Sequence, residues 1–277
     1  MTTQELERTG MTAAANQEIS IGTIVPSAML EVMFEKAKKF PRDEKMALQS
    51  ALQELQLVPT LASRAYYSIP YTDNDSGKKT PVEGLTIGSM MAITRRWGNI
   101  VTGGLLLAED ERGWDVVGIC FDIETNTYNA KPYRASKFYK PRGSQSMVPL
   151  IGQQKQNALL SAISKAIRNA SRATIPAWFY EMYFEEAKRL VLSPPAHHAP
   201  ATKSIQERIL DARSVFKKKW GVTEEEMATY IAGLSVEDDA GLLQHLKGLY
   251  NGIEEGNTNI DQVFGREKAP PSMPKEK

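Results

Sequence analysis

Between Trp114 and Ile123 the residues Val117, Ile119, Phe121 and Ile123 are apolar, and smaller or polar residues stand between them. A period of two places every second side chain on one side of an extended chain, so the segment predicts a strand with one buried face. Ile100 to Ala108 reads as a second strand, joined to the first by the polar turn Glu109-Asp110-Glu111-Arg112-Gly113. Further on the period becomes helical. Leu159, Ile163, Ala166, Ile167 and Ala170 form the apolar face of a helix from about Leu150 to Ala173, and Ser161, Lys165, Arg168 and Arg172 occupy the opposite face.

The flanking segments follow the same rules. Pro26 suits the first position of a helix carrying Met29, Leu30, Met33, Phe34 and Ala37, and Pro41 stops it. A helix from about Asp43 to Leu57 puts Leu48, Leu52 and Leu55 on one side, and Pro59 ends it. Arg64 to Tyr71 predicts a short strand before the turn Asn74-Asp75-Ser76-Gly77. Thr80-Pro81-Val82-Glu83 has the form of a capping box and predicts a helix running to Trp97-Gly98. Tyr128 to Tyr139 mixes aromatic and basic residues at strand spacing, and Pro176 opens a helix to about Leu192. After Ser193 the run Pro194-Pro195-Ala196-His197-His198-Ala199-Pro200 has the composition of an extended linker. Ile205 to Lys219, Thr223 to Ile231 and Val236 to Ile253 then predict a compact helical module, with Thr223 and Glu226 as a second capping box.

A chain of 277 residues suits one medium domain plus a smaller one. No window reaches the roughly 18 apolar residues a membrane span needs. The polar start, Met1 to Ser20, has no apolar core of a signal peptide and reads as a floppy tail, and the last dozen residues read as disordered. The single cysteine, Cys120, lies in an apolar run as a small buried hydrophobe, in keeping with a reducing cytoplasm. Net charge is only +1, but Lys131 to Arg189 holds eleven Lys and Arg against three Glu. Such asymmetry is expected where one face meets a polyanion.

The strongest chemical signal is the basic and aromatic stretch Lys131, Arg134, Lys137, Tyr139, Lys140 and Arg142, followed by Lys155, Lys165, Arg168 and Arg172 on the long helix. Single-stranded nucleic acid needs cations along its phosphates and flat surfaces for its bases, which Tyr128, Tyr133, Phe138 and Tyr139 can supply. The plainer reading is a solvated amphipathic helix beside a charged hairpin. Arg95 and Arg96 suit the negative end of a helix dipole and equally a nucleic-acid groove, while Trp97 belongs in the core.

Other chemistries fit less well. Asp122 and Glu124 resemble the first motif of metal-dependent 3'-5' exonucleases, but the further carboxylates with a catalytic His or Tyr are missing downstream; the plainer reading is a strand end and turn held by carboxylate hydrogen bonds. Ser76-Gly77-Lys78-Lys79-Thr80 fails as a phosphate-binding loop, because Thr72 stands where the first Gly belongs and Lys79 where Ser or Thr must hold magnesium. His197, His198 and His245 make no convincing metal set. No cofactor and no catalytic residue are therefore expected.

The order of Tyr67-Ser68-Ile69-Pro70-Tyr71, Glu83-Gly84-Leu85-Thr86-Ile87, Arg96-Trp97-Gly98-Asn99-Ile100, Asp122-Ile123-Glu124-Thr125-Asn126 and the helix Asn157 to Arg172 with Ile175-Pro176 resembles phage and prophage single-strand annealing proteins, broadly similar to the RecT, Red beta and Erf groups. The likeness covers about Leu61 to Leu192. It implies an α+β fold, with a small antiparallel sheet backed by the long helix, preceded by N-terminal helices and followed by a separate C-terminal helical module. It further implies ATP-independent binding and annealing of single-stranded DNA in phage homologous recombination and repair, in the cytoplasm of a bacterial host, by protomers assembled in rings or helical filaments. On this basis residues 25–192 form the DNA-binding domain between tails and linker (1–24, 193–204, 266–277). Residues 205–265 form a partner-binding domain for a host single-strand binding protein or a phage exonuclease, in which Arg213, Lys217, Lys218 and Lys219 attract an acidic tail; the plainer reading of the module is a solubilising helical cap. The alternatives are the exonuclease suggested by Asp122 and Glu124, or a passive coat on single strands.

Overall fold

The computed structural model describes residues 21–72, 78–139, 146–193 and 203–266. The Asn74 to Gly77 turn, Lys140, Arg142, the His197-His198 pair and both tails as far as residues 1–20 and 267–277 lie outside the described residues.

Three helices lead the described chain: α1 (Ser27–Lys39), α2 (Glu44–Leu57) and α3 (Pro59–Arg64). Asp43 caps α2 by accepting from the Met46 amide, and Pro59 both ends α2 and starts α3. Strands β1 (Tyr66–Thr72) and β2 (Lys79–Leu85) then form an antiparallel ribbon with Pro70 opposite Pro81. The helix expected from Thr80 starts later, as α4 (Ile87–Trp97), and Thr86 caps it through the Ser89 amide. The reason is tertiary: residues 79–85 pair along the whole of β1, and the Tyr67 ring lies on Gly84, where a Cβ would come 2.5 Å from the Tyr67 hydroxyl. A ribbon of only two strands tolerates both prolines, because an edge strand need not donate outward.

Strands β3 (Ile100–Glu109), β4 (Gly113–Asp122) and β5 (Thr127–Ser136) make an antiparallel sheet in that order, with a bulge between Leu106 and Ala108. A two-residue pair, β6 (Phe138–Tyr139) with β7 (Val148–Pro149), leads to α5 (Gln153–Thr174) and α6 (Ala177–Leu192). The sequence predicts one buried sheet face, yet central β4 is buried on both. Trp114, Val116 and Ala135 meet Ala162 and Ala166 of α5, whereas Phe121 and Val101 on the opposite face meet Leu30, Met33, Phe34 and Ala37 of α1. Met29, expected in that α1 stripe, faces outward. Helix α5 lies so close to the sheet that a Cβ on Gly118 would stand 2.0 Å from the Ala166 carbonyl carbon. Phe179, Tyr183, Ala187 and Leu190 of α6 complete a further core with Tyr66, Ile93 and Trp97.

Past residue 202 the chain is helical as expected: α7 (Ile205–Trp220), α8 (Glu224–Ala232), α9 (Asp239–Glu254) and α10 (Ile260–Phe264). Both bonds of the Thr223–Glu226 capping box are present, and a second box joins Ser204 and Glu207. These helices enclose their own core, including Phe216, Tyr230, Leu243, Leu246 and Leu249. They are also fastened to the rest of the protein. Asn251 donates to the carbonyls of Ser63 and Tyr66, and Arg208 donates to those of Val191 and Leu192, the last residues of α6. His245 bridges the Ser68 and Tyr230 hydroxyls at 2.7 Å each. Burial lowers the His245 pKa to about 4, so the imidazole joins these hydroxyls in its neutral form.

Candidate nucleic-acid interface

With Ala162, Ala166 and Ala170 turned to the sheet and core, helical periodicity leaves Ser161, Lys165, Arg168 and Arg172 on the other side of α5. Each of the three cations stands over a tyrosine ring from a different element. Lys165 is 5.9 Å from the ring centre of Tyr133 on β5, Arg168 is 4.8 Å from that of Tyr67 on β1, and Arg172 is 5.3 Å from that of Tyr180 on α6. Such contacts stabilise a cation without neutralising it.

Two clefts open along this row, and Arg168 belongs to both. One, of about 260 Å³, lies between the β1–β2 ribbon, α5 and α6, with Tyr67, Met90, Arg168, Arg172 and Tyr180 in its walls and Glu181 and Glu185 among its lining residues. The other, of about 430 Å³, lies between α5 and the end of α9, and Asn157, Ser161, Lys165, Arg168, Glu255 and Asn257 line it. Burial, then repulsion from Arg168, lowers the Lys165 pKa, while burial raises that of Glu255.

The remaining expected contacts lie elsewhere. Lys131 is exposed on β5, opposite Gly118. Tyr133 and Ala135 pack towards α5, so alternation turns Arg134 to the other sheet face, where Asp110 and Asp115 hold it at 2.6 and 2.7 Å. Lys137 pairs with Glu109 at 2.6 Å and lies over the Trp114 ring. The Arg134 bond holds the Asp110 carboxyl down at about 2, and Lys137 lowers that of Glu109. Arg96 binds Glu54 and Ser50 of α2, and Arg95 is exposed beside it. Neither they nor Lys155, Tyr139, Lys131, Arg134 or Lys137 line either cleft. In the C-terminal helices Arg213 pairs with Glu224 and Lys219 with Glu254 at 2.7 Å each, Lys217 stands 3.9 Å from Glu224, and Lys218 is exposed.

Asp122 and Glu124 belong to a structural knot. Arg42 grips Asp122 through two bonds of 2.9 and 3.0 Å, donates to the carbonyls of Trp97 and Gly98, and lies 4.3 Å from the Trp97 ring centre. Asp122 also accepts from the Glu124 and Thr125 amides, and Glu124 accepts from the Arg42 amide and the Asn99 side chain. Burial alone would raise the Asp122 carboxyl, but the bonds and charge of Arg42 outweigh it and hold the group below its usual range. Among the described residues, no group of three or more His, Cys, Asp or Glu is arranged to hold a metal ion, and no helix is long and apolar enough to cross a membrane.

The chain matches no family model, no curated protein and no solved structure. Spacing alone finds the α5 cations. Tyr67, Tyr180 and Glu255 carry no local signal for a place beside them, because each comes from a distant segment.

Proposed function

We propose that this protein binds single-stranded DNA along the outer side of α5 and anneals complementary strands without nucleotide hydrolysis, in phage recombination inside a bacterial cell. The supporting observation is the row Lys165, Arg168 and Arg172, charged, seated on tyrosines and bordering two adjoining clefts. Cations beside aromatic surfaces are what an unpaired strand requires. The resemblance of the motif order to phage single-strand annealing proteins points the same way. A row of three cations grips few nucleotides, so protomers side by side on one strand raise affinity through effective concentration. The C-terminal helices serve a protein partner.

The test is a labelled oligonucleotide mixed with its complement, protein and magnesium, without nucleotide. Faster duplex formation with strand length unchanged is expected. Shortening of the label would favour a nuclease, and binding without acceleration would favour a passive coat. Replacing Arg168 and Arg172 together by Glu should weaken strand binding by at least about fivefold at about 0.1 M salt, the loss of one full phosphate contact at roughly −0.7 in the log-log slope together with whatever share Arg168 holds. Unchanged affinity in a variant with wild-type circular dichroism would refute the placement.

A further inference from the structure

Resting on that reading, we propose that Glu255 is a built-in competitor for the strand: its carboxylate holds Arg168 in the free protein and yields that place to a DNA phosphate.

The contact has the features of a bond made to exchange. Arg168 Nη1 stands 3.6 Å from Glu255 Oε2, too far for a hydrogen bond. The firmer bonds of Glu255 go elsewhere, to the Ile87 amide at 3.0 Å and the Asn257 side chain at 3.2 Å, so the carboxylate keeps its position when the arginine turns away. Arg168 is supported independently by the Tyr67 ring. Beside it, Lys165 reaches the Gly256 carbonyl only at 3.4 Å, so the two cations rest on adjacent residues just past the end of α9. The 430 Å³ cleft opens directly onto this cluster and gives a phosphate room to enter.

The salt dependence follows. A phosphate that captures Arg168 releases a condensed counterion, but the carboxylate left behind takes a cation back from solution. The contact then contributes less than the roughly 0.7 expected of a free cation on a single strand. Glu255→Gln keeps an acceptor for the Ile87 amide and removes the charge. Fluorescence anisotropy of a labelled oligothymidylate, titrated with full-length protein across salt, should show a slope steeper by up to about 0.7 and affinity up to about fivefold higher at about 0.1 M salt. In an Arg168→Gln background the gain should vanish.

A folded Glu255→Gln protein with wild-type slope and affinity, or a gain that persists without Arg168, overturns the proposal. Should Glu255→Gln lose its thermal transition, Arg168→Gln alone decides: a measurable loss of affinity with a slope change above zero but well below about 0.7 supports competition, whereas the full value, or no change in slope and affinity, contradicts it. Wild-type protein that fails to bind the strand at all would instead remove the annealing reading on which this rests, so the two failures are distinguishable.

Discussion

Two arginine–carboxylate pairs stand in this protein under opposite conditions. Arg42 and Asp122 are 5% and 3% exposed, joined by two short bonds and surrounded by backbone partners. Arg168 and Glu255 are 14% and 21% exposed, stand 3.6 Å apart with no hydrogen bond between them, and face a cleft. Charge and residue type do not separate them; desolvation and the number of remaining partners do. A buried pair whose every atom is used has nothing to offer a ligand. A partly solvated pair held at a loose distance can exchange its partner.

The largest effect should come from breaking the closed pair. Asp122→Ala strands a buried guanidinium and should cost about 3–5 kcal/mol in urea unfolding. Replacing Arg42 and Asp122 together by apolar residues of similar volume should recover much of that loss. A single variant near wild-type stability would mean that the knot is not a lock, and the contrast with Arg168–Glu255 would fail.

Next comes the joint that carries α9, and with it Glu255. Buried His245 titrates at about 4 in the folded protein and near 6.5 when unfolded. Between those values the unfolded chain binds the extra proton, so stability is complete above about pH 6.5 and falls by about 3 kcal/mol towards pH 4. Comparing denaturation midpoints of wild type and His245→Gln over that range isolates the contribution, since the variant should lack this slope. Parallel pH profiles would show that the imidazole is not held neutral by the fold.

The smallest effect is expected at the far end of the sheet. Arg134 is already neutralised by Asp110 and Asp115, so Arg134→Gln should change strand affinity by less than about twofold. A loss matching that of an α5 arginine would place the β3–β4 turn on the strand's path and erase the distinction between held and available cations.

Much of the fold was legible because its signals are local. The alternation of Val117, Ile119 and Phe121, the α5 period and the Thr223–Glu226 box each sit within a few residues of what they specify. Thr80 misled for the same reason: four residues of capping pattern carry no information about a strand partner at Tyr66–Thr72. The candidate site was half legible. Helical spacing groups Lys165, Arg168 and Arg172, but only the register opposing Asp115 to Arg134 shows that another expected contact is already paired. Nothing near Glu255 announces an arginine 87 positions earlier.

The clasp of Arg208 on the last carbonyls of α6 joins the two banks of the Pro-rich stretch directly. Together with the Asn251 and His245 bonds, it makes the covalent link across 194–202 dispensable for cohesion. Cleavage there would leave a two-piece protein that travels as one particle and comes apart only in denaturant.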